Sequence, residues 1–480
     1  MTENIFVGRK KELEELNALL NKKAASLVVV KGRRRIGKSR LLEEFGKKKN
    51  VLKFIGLAPQ EDTTRQVQLD EFARQLSQMT HLPEVKANDW GKLFSLLSSQ
   101  VQKGRIIVIL DEISWMGSED SDFLGHLKTA WDEQFSKNPK LLLILCGSIS
   151  SWIDDNILNS KAFFGRVSWT LNLEPLPLYD CNALLEKAGF RGSNYEKFKV
   201  VSITGGVPWY LEQIQGGLSA DDNIRRQCFT KGGMLVDEFR RIFHEIFGKR
   251  DQLYKNIVKA LENGPAEYEK IIEISGYKSS GRLSEYLVDL TKAGFITRDF
   301  TWSLKSGKTV RISQFRLSDN YLRFYLKYME PRFDLIEKGR FENIALSTLS
   351  GWDVIMGFQF ENLVLSNRNA IIKLLNLRFE DILADNPYLQ KKTKRQKGCQ
   401  IDYLIQTKYN NLYLCEIKFS KHPVGAKVIE EVQEKIRRLK LPRGLAVLPV
   451  LIHVNGVQDT VEESDFFCKI IDFGDLLKQG

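Results

Sequence analysis

At 480 residues the chain has room for about three domains, and 43% apolar with 28% charged residues is the balance of an ordinary soluble globular protein. No apolar run approaches the roughly 20 residues that span a bilayer, and six scattered cysteines without a C-x-x-C pair indicate neither a zinc site nor a disulfide framework. A net charge of +12 suits a polyanionic partner, and the start MTENIFVGRKKELEEL lacks the apolar core of a secretion signal, so the expected setting is reducing cytoplasm with no membrane partner.

Phe6-Val7-Gly8-Arg9 opens the chain ahead of KELEELNALL, where Leu13, Leu16 and Leu20 recur at helical spacing. The apolar run Leu27 to Val30 then leads into Gly32-Arg33-Arg34-Arg35-Ile36-Gly37-Lys38-Ser39-Arg40 and a further helical pattern. This is G-x-x-x-x-G-K-S between strand and helix, a phosphate cradle. Glycines let backbone N–H groups turn onto phosphate oxygens, and the helix start adds its positive dipole end. Lys38 reaches the terminal phosphates and the Ser39 hydroxyl is placed to ligand Mg²⁺. For Arg33 to Arg35, contact with phosphate, DNA, a neighbouring subunit or solvent all stay open.

Five consecutive apolar residues, Ile106 to Leu110, precede Asp111-Glu112. Such a run marks a strand buried on both faces, and α/β sheets place ligands at the strand's C-terminal end. Asp111 is expected to hold Mg²⁺ and Glu112 to polarise the attacking water. A second buried strand, KLLLILCGS, ends in Ser148, placed to sense the terminal phosphate. Strands alternating with helices in this order predict a doubly wound α/β parallel sheet.

Phe6-Val7-Gly8-Arg9-x-x-Glu12-Leu13, the apolar run ending in Asp111-Glu112, and Leu145-x-Gly147-Ser148 together resemble the archaeal-type P-loop ATPases near the AAA+ and STAND groups. Those proteins carry a Gly-Arg after the sensor strand, matched by Gly165-Arg166, and a Gly-Gly-x-Pro further on, matched by Gly205-Gly206-Val207-Pro208. The resemblance implies ATP as cofactor, Val7-Gly8-Arg9 near the adenine, and Pro208 near the nucleotide. For Arg166, three placements stay open: a phosphate in cis, a neighbouring subunit of a homo-oligomer, or plain surface. Residues 172–245 read as a helical lid following an ATPase domain over 1–171.

Residues 246–330 read as three helices, KNIVKALEN, EYEKIIEISG and SSGRLSEYLVDLTKAG, then a β-hairpin turning at Lys305-Ser306-Gly307-Lys308. This is the pattern of a winged helix-turn-helix, with Arg282 and Ser284 toward a duplex and the basic hairpin tip along phosphate if it binds DNA. An inter-domain adaptor is the competing reading, since Glu285 and Asp289 share the third helix. FRLSDNYLRFYLKYMEP reads as an aromatic interdomain core.

In residues 331–480, GFQFENLVLSNRNAIIKLL reads as an amphipathic helix with Glu361 in its first turn or two, and NPYLQKKTKRQKGCQ as a basic loop. Two strands follow, QIDYLIQ and NLYLCEIKFS, turning at residues 407–410. The midpoint of 402 and 416 falls inside that turn, so an antiparallel hairpin sets Asp402 opposite Glu416. Facing like charges call for a cation between them, and Lys418 shares the strand face of Glu416. These groups with Glu361 form a site for Mg²⁺ and an attacking water. Glu361, Asp402 and Glu416-Ile417-Lys418 resemble the PD-(D/E)XK nuclease core, though Gln400-Ile401 stands where that pattern has proline. The resemblance implies that Asp402 and Glu416 hold the metal, Lys418 orients or activates the water, Glu361 supports the metal shell, and the fold is restriction-endonuclease-like. The expected function is ATP hydrolysis coupled to action on DNA, with a nucleotide-controlled STAND-like switch that binds without cleaving as the alternative.

Overall fold

The computed structural model describes residues 6–58, 63–83, 85–117, 120–148, 151–277, 281–394 and 396–478. Ser279 and Ser280 of the third-helix pattern, and Arg395 of the basic run, lie outside the described residues. The chain forms two compact units, residues 1–175 and 176–480. Among the described residues, no helix is long and apolar enough to cross a membrane.

The first unit is built on five strands: β1 Ser26–Gly32, β2 Val51–Ile55, β3 Ile106–Asp111, β4 Leu141–Ser148 and β5 Val167–Leu173. They lie in the order β2-β3-β4-β1-β5, and every pair is parallel. All six residues of β3 and the first seven of β4 are buried, which is why both read as unbroken apolar runs. One face is sealed by an aromatic cluster in which Phe54 stacks on Phe72 at 4.3 Å and Trp90 meets Phe72 and Phe123 edge-on. Because β5 continues to Leu173, the unit runs past the expected boundary at 171.

The second unit gathers the expected lid, the three-helix segment and the C-terminal segment into one body. Helices Leu178–Lys187, Asn194–Thr204 and Ala220–Cys228 come first. Helices Asp251–Lys259, Tyr268–Ser275 and Gly281–Lys292 precede an antiparallel hairpin of β6 Ile296–Trp302 and β7 Thr309–Leu317. The aromatic segment is core: Tyr325 stacks on Phe239 at 4.4 Å, and Tyr321, Phe324 and Tyr328 are buried.

A second five-stranded sheet closes the chain: β8 Ile382–Gln390, β9 Cys399–Thr407, β10 Asn411–Ile417, β11 Ala446–His453 and β12 Lys469–Asp472. Its order is β12-β11-β10-β9-β8; β8, β9 and β10 pair antiparallel, whereas β10, β11 and β12 pair parallel. Helix Lys427–Arg438 crosses between β10 and β11.

Two local readings change. The helix carrying Glu361 begins at Trp352, so Glu361 lies well past its first turns; it ends at Ser366, and a separate helix, Arg368–Leu374, follows. It is not amphipathic, because Gln359 and Asn362 are buried along with Ile355, Phe360 and Val364. The first part of the supposed basic loop, Asn386 to Gln390, is strand β8. Pro387 is tolerated there because β8 is an edge strand and the pairing slips between Asn386 and Tyr388.

Candidate functional site

In the first unit, β1 ends at Gly32 and helix Lys38–Gly46 begins just after Gly37. Gly32 is obligatory on packing grounds: a Cβ there would stand 2.8 Å from the Leu173 carbonyl oxygen. Gly37 takes φ 93° and Arg35 φ 66°, left-handed turns that point successive backbone N–H groups into the loop. The Lys38 ammonium is buried and donates to the carbonyls of Gly32 at 2.9 Å and Arg33 at 3.3 Å. Arg33, Arg34 and Arg35 are half-buried, and Arg40 sits on the first turn of the helix.

Ser39 Oγ donates to Asp111 Oδ2 at 3.2 Å, so the two groups expected at Mg²⁺ converge on one point. Lys53 of β2 sets its ammonium 3.1 Å from the same carboxylate oxygen. Sequence reasoning missed Lys53, because the pairing arises only from β2 lying beside β3 and no motif marks it. Glu112 follows with φ 53°, a conformation costly for a non-glycine residue and typical of functional positions. Burial pushes its carboxyl above the usual carboxylate range, against the opposing pull of Lys38; Asp111 raises it further, while the Ser148 N–H and Arg34 lower it. Ser148 pairs with Gly32 in the β1–β4 register, which sets it beside the cradle.

Arg9 is buried with φ 60°, and its guanidinium donates to the carbonyls of Ile36 at 3.3 Å and Glu174 at 2.5 Å and to Glu12 at 3.1 Å. Its visible work is to tie Gly8-Arg9 to the cradle. Arg166 closes a two-pronged pair on Asp132 at 2.6 and 2.8 Å. The Arg166 hydrogen bonds, with help from Lys128, hold Asp132 down to about 2 against the opposing effect of burial. Pro208 belongs to the second unit, at the start of helix Pro208–Leu211.

The Asp132 shift carries a pH signature. A carboxylate depressed on folding contributes stability that is full above its ordinary value near 3.8 and is lost as pH falls toward 2. Asp132→Asn is therefore expected to melt slightly below the wild type at pH 7, with the two curves converging below pH 3.8. Thermal unfolding across that range checks it.

The second unit holds the other set. The β9–β10 register pairs Leu414 with Leu404 and Cys415 with Tyr403, and its next step sets Glu416 against Asp402. Instead of a ladder bond, the Ile417 N–H donates to Asp402 Oδ2 at 3.1 Å. Lys435, from helix Lys427–Arg438, lies between the facing carboxylates, 3.2 Å from Asp402 Oδ1 and 2.5 Å from Glu416 Oε2. Lys418 meets Glu416 Oε1 at 3.0 Å and Glu431 Oε2 at 2.8 Å. Glu431 carried no signal in the sequence, whereas the resemblance to the nuclease core pointed to Gln433 and Lys435 on the helix after β10, and Lys435 is the one that meets the carboxylates.

Glu416 is 2% exposed, and burial raises its carboxyl above the ordinary range, with Asp402 adding to the shift and the two lysines opposing it. Burial works against the Lys418 ammonium, but Glu416 and Glu431 outweigh it and hold its value above that of a free lysine. Glu361 is raised by burial and by Asp402, and lowered by Arg323 and Arg316. It stands within electrostatic reach of Asp402, yet among the described residues no three acidic, His or Cys side chains are grouped to hold a metal ion.

Aromatic packing joins this cluster to helix Asn194–Thr204. Tyr195 stacks on Phe419 at 4.8 Å, and Phe198 meets Phe360 at 5.6 Å. Phe419 directly follows Lys418, and Phe360 directly precedes Glu361.

Residues 6–214 match a family described as an ATPase domain predominantly from Archaea, a match that runs past β5 and includes helix Asn194–Thr204. An uncharacterized protein of Methanocaldococcus jannaschii is 28% identical over 347 residues, covering 70% of this chain and 72% of its own length. An uncharacterized ATP-binding protein of the same organism is 43% identical over 47 residues, 10% of this chain and 80% of its own length. Among solved structures, a Walker-type ATPase of Pyrococcus abyssi superimposes with a TM-score of 0.50 at 18% identity, covering 67% of this chain and 96% of that one, a likeness of fold. The strand–cradle–helix geometry and the parallel five-stranded sheet agree with these matches: the first unit has the P-loop ATPase fold, and residues 6–214 are similar to the ATPase domain found predominantly in Archaea.

Proposed function

We propose that the chain is an ATP-hydrolysing protein that acts on DNA and cuts phosphodiesters at Asp402, Glu416 and Lys418 in a restriction-endonuclease-like domain, with Mg²⁺ as cofactor at both sites. The observation that carries this reading is the convergence of two carboxylates on one cation, with a second lysine on the same strand face. Ser39 with Asp111, and Asp402 with Glu416, offer the hard oxygen donors that Mg²⁺ takes, and one or two carboxylates suffice because the ion keeps several waters. Bound there, it supplies Lewis acidity toward a phosphoryl oxygen and a water of lowered pKa.

The chain's own residues divide the remaining work. The Lys418 ammonium, beside Glu416 and Glu431, suits orienting the water and offsetting charge developing on the phosphate. In the ATPase site, a carboxyl raised by burial is a better proton acceptor than a free one, which suits Glu112 to polarising water. Lys391, Lys392, Lys435 and Arg438, together with Glu267, Glu430, Glu431 and Glu434, line a cleft of about 840 Å³ that borders the cluster through Lys435 and Glu431. Control by ATP would run through helix Asn194–Thr204, which lies within the ATPase family match and packs on both carriers of the cluster. Within the three-helix segment, the pattern fits a winged helix.

A second reading, a nucleotide-controlled switch that binds without cutting, is favoured by Lys435, which already neutralises both carboxylates. One experiment separates them. Incubated with DNA, ATP and Mg²⁺, the wild type is expected to cut, and Lys418→Ala to lose cutting by about 100-fold while hydrolysing ATP normally. Binding is expected to fall linearly in log affinity with log salt, and DNA that is retained yet never cut favours the switch.

A further inference from the structure

Helix Gly281–Lys292 and the β6–β7 hairpin face each other across a second cleft, of about 860 Å³. Its floor is apolar, with Leu287 and Phe315 buried and Val288 52% exposed. Phe300, 37% exposed, stands on the hairpin wall with the Arg298 guanidinium 4.6 Å from its ring centre. Lys292 and Arg311 add positive charge, against Glu267 and Glu269.

Three features decide what fits. The hairpin tip is not free to lie along a duplex, because the C-terminal sheet holds it: Trp302 Nε1 donates to Gln406 Oε1 at 2.6 Å, and Gln406 Nε2 donates to the Leu304 carbonyl at 2.8 Å. The tip's Gly307 lies against Leu383, 3.2 Å from where a Cβ would stand. The side of the third helix that lines the cleft faces this pinned hairpin, so a rigid duplex cannot reach that side by the usual major-groove docking. An exposed aromatic ring beside an arginine plane is instead a stacking platform for unpaired bases. Finally, Glu267 and Lys391 line both this cleft and the one that reaches Lys435, the cation between Asp402 and Glu416, and they form an ion pair at the junction.

We propose that the cleft between the third helix and the hairpin binds single-stranded DNA, stacking a base on Phe300 and Arg298 and leading the strand past Lys391 to Asp402 and Glu416. This rests on the reading of that cluster as a phosphodiester-cutting site. The test is fluorescence anisotropy of the full chain in EDTA at fixed salt, with labelled oligo-dT or blunt duplex of about 20 nucleotides, longer than typical single-strand site sizes. The wild type is expected to bind oligo-dT at least about 10-fold more tightly than duplex, Phe300→Ala to weaken oligo-dT about 10-fold with duplex unchanged, and Phe300→Trp to restore it. Phe300 is exposed, and an unchanged melting temperature confirms that both variants fold. Duplex bound as tightly as oligo-dT, or Phe300→Ala binding like wild type, overturns the single-strand site while leaving the cutting reading intact. Binding to neither overturns both.

Discussion

Lys38→Ala is expected to lose ATP binding by about 100-fold or more, and hydrolysis with it. The ammonium is buried at the end of the cradle and donates to the Gly32 and Arg33 carbonyls, an arrangement that points it into the loop where phosphate oxygens arrive. Each charge-assisted hydrogen bond to a phosphate is worth about 1.5–3 kcal/mol, and two of them reach the stated factor. Isothermal titration with ATP and with a non-hydrolysable analogue measures the loss directly. The companion variant Glu112→Gln should behave oppositely, binding ATP as before while hydrolysis falls by about 100-fold or more. Because burial raises the Glu112 carboxyl, the wild-type hydrolysis rate should fall on acidification at a pH above the ordinary glutamate value of 4.5. A Glu112→Gln rate equal to wild type removes that residue from the water-activating role.

Glu416→Gln is expected to abolish Mg²⁺-dependent cutting by about 100-fold or more without destabilising the fold. The physical point is that the protein holds this charge at a cost. Burial raises the Glu416 carboxyl, Asp402 raises it further, and Lys435 and Lys418 recover only part of the difference. Over the window from 4.5 up to the raised folded value, the folded state keeps a proton that the unfolded chain has released. Stability therefore falls as pH rises through that window. A neutral isostere removes the slope, so in metal-free buffer the variant should melt at or above the wild type at pH 7. The Lys435 ammonium keeps Asp402 as a partner. A site tuned for chemistry commonly carries such a cost. If Glu416→Gln instead lowers stability by several kcal/mol, the cluster is a structural network and the switch reading gains.

What could be read directly from the chain was local. The cradle at residues 32–39 needs only a strand, a loop and a helix in succession, so its geometry follows from contiguous residue types. The opposition of Asp402 and Glu416 is equally local, since a turn between Thr407 and Asn411 obliges the two flanking strands to pair about it. The aromatic core around Tyr321 to Tyr328 was legible because nothing but burial suits such a run. Even locally, a misread period has consequences: uniform burial around Glu361 hid the true start of its helix, and Pro387 made a strand look like a loop.

By itself, the sequence determined a P-loop ATPase sheet, the position of its cradle, and a hairpin that brings two carboxylates together. Only the tertiary structure decided which cations answer them. Lys53 meets Asp111 because β2 lies beside β3, and Lys435 meets Asp402 and Glu416 because a helix packs over β9 and β10. Arg166 goes to Asp132, and the hairpin tip goes to Gln406. These partners come from separate elements, and side-chain pairing between elements depends on strand order and helix packing, which residue spacing along one segment does not encode.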